Sequence, residues 1–168
     1  MQEVLIFSDS HGAKSALRRV IAAHPKATHI LFCGDGVSDI LQIEEEFPRQ
    51  VFVSVRGNCD GLRCFLDAPC ERLFSLGGLR IFLMHGHLYG VKGGYGAAAA
   101  QALKENADIL IFGHTHIQYE GYLEGKEKRV HLFNPGSIGK SSGDGAHSYG
   151  VLTIGENGYL LSHGSLKN

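Results

Sequence analysis

The chain has 168 residues, a formal net charge of -1 and 43% hydrophobic residues. That is enough apolar material for one folded domain with a sizeable core, and near-neutrality excludes the strong basic field needed to grip long nucleic acid. Ten histidines stand against 16 lysines and arginines, a share that directs attention to metal or acid–base chemistry.

Residues 4–8 form a continuous apolar run, as expected of a strand buried on both faces of a parallel sheet. The run ends in Asp9-Ser10-His11-Gly12. Residues 15–24 then place Leu17, Val20, Ile21 and His24 at helical spacing ahead of Pro25. A second strand, residues 29–33, leads into Gly34-Asp35-Gly36-Val37-Ser38-Asp39. The following helix turns Ile40, Ile43 and Phe47 inward and stops at Pro48. A third strand, residues 50–55, ends in Arg56-Gly57-Asn58-Cys59-Asp60. This β-α-β-α-β order predicts right-handed crossovers and a parallel sheet.

Beyond Gly61 the pattern changes. Residues 65–69 read as a loop, and residues 70–75 and 79–85 as strands joined by a Gly77-Gly78 hairpin, the second ending in His85-Gly86-His87. A glycine-rich link precedes a helix over 97–106 and a strand over 108–112, which ends in Gly113-His114-Thr115-His116. With Thr115 extended, period-two alternation would send both imidazoles to one side. Residues 117–123, 129–133, 149–154 and 159–163 read as further strands, with turns at Asn134-Pro135-Gly136-Ser137 and at 155–158. The expectation is a single α/β domain over 1–168, with two sheets and helices outside. Cys33, Cys59, Cys64 and Cys70 form no CxxC pair, and no run is apolar enough for a signal or membrane segment. The chain therefore reads as a reduced, cytoplasmic protein with no membrane partner.

Five strand ends now present Asp9 with His11, Asp35, Asn58, His85, and His114 with His116. Ligands of open α/β sheets bind beyond the carboxyl ends of the strands. Seven O and N donors exceed what one tetrahedral zinc uses. They suit two ions of higher coordination sharing one carboxylate. Mixed imidazole, carboxylate and amide donors favour Mn, Fe, Zn, Ni or Co over Ca.

The ordered set Asp-x-His, Gly-Asp-x(3)-Asp, Gly-Asn, His-Gly and Gly-His-x-His resembles the calcineurin-like metallophosphoesterase superfamily. Arg56-Gly57-Asn58-Cys59-Asp60, His85-Gly86-His87 and Asn134-Pro135-Gly136-Ser137 are similar to its small bacterial and archaeal phosphodiesterases. The resemblance implies a two-sheet β-sandwich flanked by helices, a four-layer αββα fold. It implies a binuclear centre with Asp9, His11 and His116 on one ion, Asn58, His85 and His114 on the other, and Asp35 between them. The implied cofactor is two divalent ions, Mn2+ first, with Ni2+, Mg2+, Fe2+ or Zn2+ as alternatives. The implied activity is hydrolysis of a small phosphodiester through in-line attack by a hydroxide bridging the ions. Asn58, Cys59 and His85 are the implied catalytic positions. Many members carry His directly after Gly-Asn, where this chain has Cys59. A thiol, with a reference pKa of about 8.5, is a poor acid for an alkoxide leaving group, so diesters with good leaving groups are expected.

Other residues read more plainly. Asp39 fits a cap or a support better than a ligand; His87 is balanced between facing substrate and satisfying a local carbonyl. His24, His29, His131, His147 and His163 read as surface or satisfied core. Arg56 and Lys140 are candidate phosphate contacts. The competing readings are a catalytically silent scaffold of the same fold, and a nuclease or cyclic-nucleotide hydrolase. A homodimer is a further expectation drawn from the resemblance.

Overall fold

The computed structural model describes residues 1–61, 68–139 and 147–166. Lys140, Cys64 and residues 65–67 of the expected loop lie outside the described residues. The elements are β1 (Gln2–Phe7), α1 (Lys14–Ala23), β2 (Ala27–Phe32), α2 (Val37–Glu44) and β3 (Val51–Ser54). There follow β4 (Glu71–Leu76), β5 (Leu79–Met84), α3 (Gly96–Lys104), β6 (Ile109–Ile111) and β7 (Gln118–Glu124). The chain closes with β8 (Arg129–Pro135), β9 (His147–Gly155) and β10 (Gly158–Leu166).

They assemble into two five-stranded sheets, in the orders β10-β9-β1-β2-β3 and β4-β5-β6-β8-β7. In the first, β1, β2 and β3 run parallel and β9 returns antiparallel beside β1. In the second, β5, β6 and β8 run parallel and β4 and β7 close the edges antiparallel. The hairpin at Gly77 and Gly78 has both residues at positive φ, 57° and 83°, as a tight turn matched to strand twist requires.

Strand alternation explains why the apolar runs are unbroken. Val4 and Ile6 of β1, Leu31 of β2, Ile81 and Leu83 of β5, and Ile109 and Ile111 of β6 meet between the sheets. Their neighbours Leu5, Phe7, Ile30 and Phe32 turn outward onto Leu17, Val20 and Ile21 of α1 and Ile40 and Ile43 of α2. On the second sheet Phe82, Leu110 and Phe112 pack under Ala98, Ala99 and Ala102 of α3. Small side chains let that helix approach closely. Each large apolar side chain so buried is worth about 1.5–3 kcal/mol. The layers are helix, sheet, sheet, helix, as expected.

Three local expectations need correction. The extended run ends at Ile111, and His114 and His116 have φ of 67° and 59°; Thr115 therefore sits in a turn and not on a strand. Helix α2 stops at Glu44, and Phe47 reaches the core from a turn beyond it. Helix α3 ends at Lys104, because the chain turns at Asn106 (φ 55°). No helix among the described residues is long and apolar enough to cross a membrane.

Candidate metal centre

Five of the six strands that run parallel, β1, β2 and β3 in one sheet and β5 and β6 in the other, end on one edge of the sandwich, and the loops that follow them interlock. Asp9 N–H donates to the Gly34 carbonyl (2.9 Å) and His11 N–H to the Asp35 carbonyl (3.2 Å). Gly113 N–H donates to the His85 carbonyl (3.1 Å), and Gly139 N–H to that of Asp9 (3.2 Å). Backbone conformation is unusual here. Asp9, His11, Asp35, His114 and His116 all have positive φ, between 43° and 67°, and Asn106 is the only other described non-glycine residue that does. Asp, Asn and His tolerate this region better than most residues, yet each instance costs about 1–3 kcal/mol.

Asp9 is fully buried. Its Oδ2 accepts from the Ser8 hydroxyl and from the His114 N–H (3.1 Å). Its Oδ1 has no hydrogen-bond partner, although His116 Nε2 stands 3.1 Å away and His11 Nε2 3.8 Å away. His11 Nε2 is itself buried without a partner. A carboxylate oxygen and an imidazole nitrogen left bare and aimed at one point suit a cation that both can touch.

The second group is built around Asp35, which is 3% exposed. Its Oδ1 accepts the Cys59 N–H at 2.7 Å; its Oδ2 lies 3.4 Å from His85 Nε2 and 4.0 Å from His11 Nε2. His85 Nε2 also lies 3.2 Å from Asn58 Oδ1 and 3.1 Å from His114 Nδ1. Ligand atoms of Asp9, His11 and His116, and those of Asp35, His85 and His114, fall within 4.8 Å of one another in each group. Each group can hold a metal ion, and Asp35 lies between them. His11, Asp35 and Cys59 make a third such grouping across the middle.

The electrostatics agree with that use. Burial opposes ionisation of Asp35, but His85 and the Cys59 N–H outweigh it and hold its carboxyl well below the usual carboxylate range. Burial disfavours a proton on His85, yet Asp35 and Asp9 raise its pKa. His114, depressed first by burial and then by His85, falls to about 4. Asp35 and Asp9 favour a positive charge at His85, which a bound cation would supply in place of the proton, while His114 is held neutral, the state a metal ligand needs.

The remaining sequence candidates are also placed. Asp39 accepts from Ser10 Oγ (2.6 Å) and Gly12 N–H (2.8 Å), tying α2 to the Asp9–Gly12 loop. His87 lies beside His85, tilted, and edge-on to His114, with ring centroids 5.3 and 6.2 Å away. Arg56 donates to Cys70 Sγ (3.0 and 3.2 Å). His24 meets Glu3 and Tyr149, and His131 meets Glu120 and Tyr159.

Sequence reasoning missed the supports. Asn134, whose composition suggests a turn, is the penultimate residue of β8 and donates to the Gly113 carbonyl (2.9 Å) and Thr115 Oγ1 (3.1 Å), holding the His114–His116 loop. His163 Nε2 fixes the Asn134 carbonyl at 2.8 Å. Ser137 Oγ donates to the Asp9 carbonyl at 2.9 Å. Asp60 accepts backbone N–H groups from two loops. The Asn-Pro-Gly-Ser run was the one signal available for the first of these.

A sequence profile described as the calcineurin-like phosphoesterase superfamily domain matches residues 2–157. The chain belongs to that superfamily. Within it, the chain is 34% identical over 153 residues to the probable metallophosphoesterase YsnB of Bacillus subtilis (strain 168), covering 90% of this chain and 83% of that protein. It is 29% identical over 174 residues to the phosphodiesterase YfcE of Escherichia coli (strain K12), covering 90% and 88%. The small bacterial and archaeal branch is therefore the right one. Among solved structures, a predicted phosphoesterase from Streptococcus pneumoniae TIGR4 superposes with TM-score 0.78 at 25% identity, covering 98% of this chain and 89% of that one. Vacuolar protein sorting 29 from Cryptosporidium parvum shares the fold, with TM-score 0.70 at 18% identity, covering 99% and 98%.

Proposed function

We propose that this superfamily member is a binuclear, metal-dependent phosphodiesterase acting on small phosphodiesters. In this reading Asp9, His11 and His116 hold one divalent ion, Asn58, His85 and His114 hold a second, and Asp35 is shared. The observation that carries it is the pair of ligand groups joined through one buried carboxylate, with Asp9 Oδ1 and His11 Nε2 left bare. The mixed O and N donors suit Mn2+, Fe2+, Ni2+ or Zn2+ over Ca2+, and the family resemblance puts Mn2+ first. Bound there, two divalent ions activate water and offset charge developing on the phosphoryl oxygens.

The chain's own residues do the rest. Ser8 and the His114 N–H fix one Asp9 oxygen and so aim the other. The Cys33 carbonyl holds His85 Nδ1, leaving Nε2 for the centre. Cys59, exposed beside Asn58, occupies the position where many members place a histidine, and supplies only a weak acid to the departing group. The silent-scaffold reading has less support, since every one of the seven positions keeps a side chain able to bind metal.

The test is hydrolysis of bis(p-nitrophenyl) phosphate by chelator-stripped protein given Mn2+, Ni2+, Mg2+ or Zn2+ in turn. Turnover restored by metal, and lost in His116→Ala and Asp35→Asn, would support the assignment. Folded protein with no turnover under any metal would transfer the weight to the scaffold. Activity on oligonucleotides that falls steeply with salt would instead point to a nuclease.

A further inference from the structure

Asp60 has no place in the ligand set, yet it is the most heavily engaged carboxylate near it. Its Oδ2 accepts the N–H groups of Asp35 (2.9 Å) and Gly57 (2.7 Å). Its Oδ1 accepts those of Gly36 and Val37, both at 2.9 Å. Three of these donors belong to the loop and helix start that carry Asp35. The fourth belongs to the loop that carries Asn58. The Cys59 N–H returns to Asp35 Oδ1 at 2.7 Å, so the two loops clasp each other from both sides.

The chemistry of this arrangement requires an anion. Gly34, Asp35 and Gly36 have successive positive φ values of 95°, 59° and 146°. The N–H groups of Asp35, Gly36 and Val37 that follow this bend converge on Asp60, a concavity of the kind that binds negative charge. An ionised carboxylate only accepts and has about four lone-pair sites, which matches four N–H donors. An amide of the same size cannot match them, because one of its two ends is itself a donor.

We propose that Asp60 is a positioning residue for the second ion. It holds the Asp35 and Asn58 loops in register, so its loss weakens the Asn58–His85–His114 position, which depends on both loops, more than the Asp9–His11–His116 position, which of the two depends on the Asp35 loop alone. This inference rests on the two-ion reading above. The action is indirect: Asp60 orients the backbone that aims the ligands, as outer partners of metal sites commonly do.

The experiment is titration of chelator-stripped protein with Mn2+, followed by calorimetry and by the electron paramagnetic resonance of free and paired Mn2+. Wild type is expected to take two ions and give the coupled-pair spectrum. Asp60→Asn is expected to bind the second ion about 10–100-fold more weakly than wild type and the first with a smaller loss, and the pair signal should disappear. Asp108→Asn serves as the control for mere destabilisation. Asp108 accepts the Arg80 N–H and the Lys128 ammonium, each at 2.7 Å, away from the centre, and its variant should keep both ions. If Asp60→Asn does not fold, Asp60→Glu, which keeps the charge but shifts it by one methylene, replaces it. Two ions at native affinity in the Asp60 variant, or equal weakening of both, would overturn the inference alone. Fewer than two ions in wild type would overturn the two-ion reading first.

Discussion

His85 Nδ1 sits 2.7 Å from the carbonyl oxygen of Cys33, inside the protein. A carbonyl only accepts, so Nδ1 carries a proton, and Nε2 faces Asn58 and Asp35 at 3.2 and 3.4 Å. One backbone group thus selects the tautomer that the proposed ligand needs. His85→Ala should remove a ligand and strand a buried acceptor. We expect loss of one bound ion and, in chelator, a stability loss of about 1–3 kcal/mol by urea unfolding. A metal-free variant as stable as wild type would show that the Cys33 contact carries no weight.

Gly57 packs against Asp35. A Cβ at residue 57 would overlap the Asp35 carboxylate and stand 2.7 Å from its backbone nitrogen. Gly57→Ala should displace Asp35, with turnover reduced by about 100-fold and stability by about 1–3 kcal/mol. Gly61→Ala, which meets nothing within 4 Å, should leave both unchanged. Equal behaviour of the two variants would refute the packing argument.

Metal removal should be visible in unfolding. An ion that binds only the folded chain adds about 2.7 kcal/mol at 100 times its dissociation constant. Saturating Mn2+ should therefore raise the unfolding midpoint of wild type. His116→Ala, lacking one side chain of the Asp9 group, should gain less. The comparison needs only thermal scans with and without chelator, and an identical gain in both proteins would contradict the role given to His116.

Acid should weaken the fold through His131. This side chain is 4% exposed and pinned between Glu120 and Tyr159 at 3.0 and 3.1 Å. Burial lowers its pKa, and Glu120 offsets only part of that. The unfolded chain takes up this proton near pH 6.5, whereas the folded chain resists it to lower pH. The contribution is therefore full above about 6.5 and is lost as pH falls through the folded value. Metal-free wild type should lose more stability between about pH 7.5 and about 5.5 than His131→Phe does. The same pH dependence in both would remove His131 from the account.

The leaving group should matter more than usual. With Cys59 beside Asn58, little protonation is available to an alkoxide. A series of aryl and alkyl phosphodiesters should show rates falling steeply as leaving-group pKa rises. A flat series would require an acid other than Cys59.

Much of this was legible in the residues before any coordinates. Unbroken runs such as Val4–Phe7 and Ile109–Phe112 announce strands covered on both faces, and their Asp, Asn and His endings mark the edge where a site forms. The supports were not legible. Asp60 acts on backbone N–H groups, which leave no trace in side-chain pattern, and Asn134 has the composition of a turn while sitting at the end of a strand. The conformation of the loop after Ile111 departs from the extended expectation for a related reason. Contacts from Asp9 and Asn134 curl it, and those partners are distant in sequence.

The left-handed backbone at Asp9, His11, Asp35, His114 and His116 has a consequence for how this protein tolerates change. These are positions where glycine would relax the main chain, so the centre is kept against the local preference of the polypeptide. Stability and chemistry then pull in opposite directions at single residues. In chelator, His116→Gly should unfold no more readily than wild type, by urea denaturation, although it has lost a proposed ligand. A screen for robustness run without metal would find no reason to keep histidine at 11, 114 and 116, and would return a folded chain with an emptied centre.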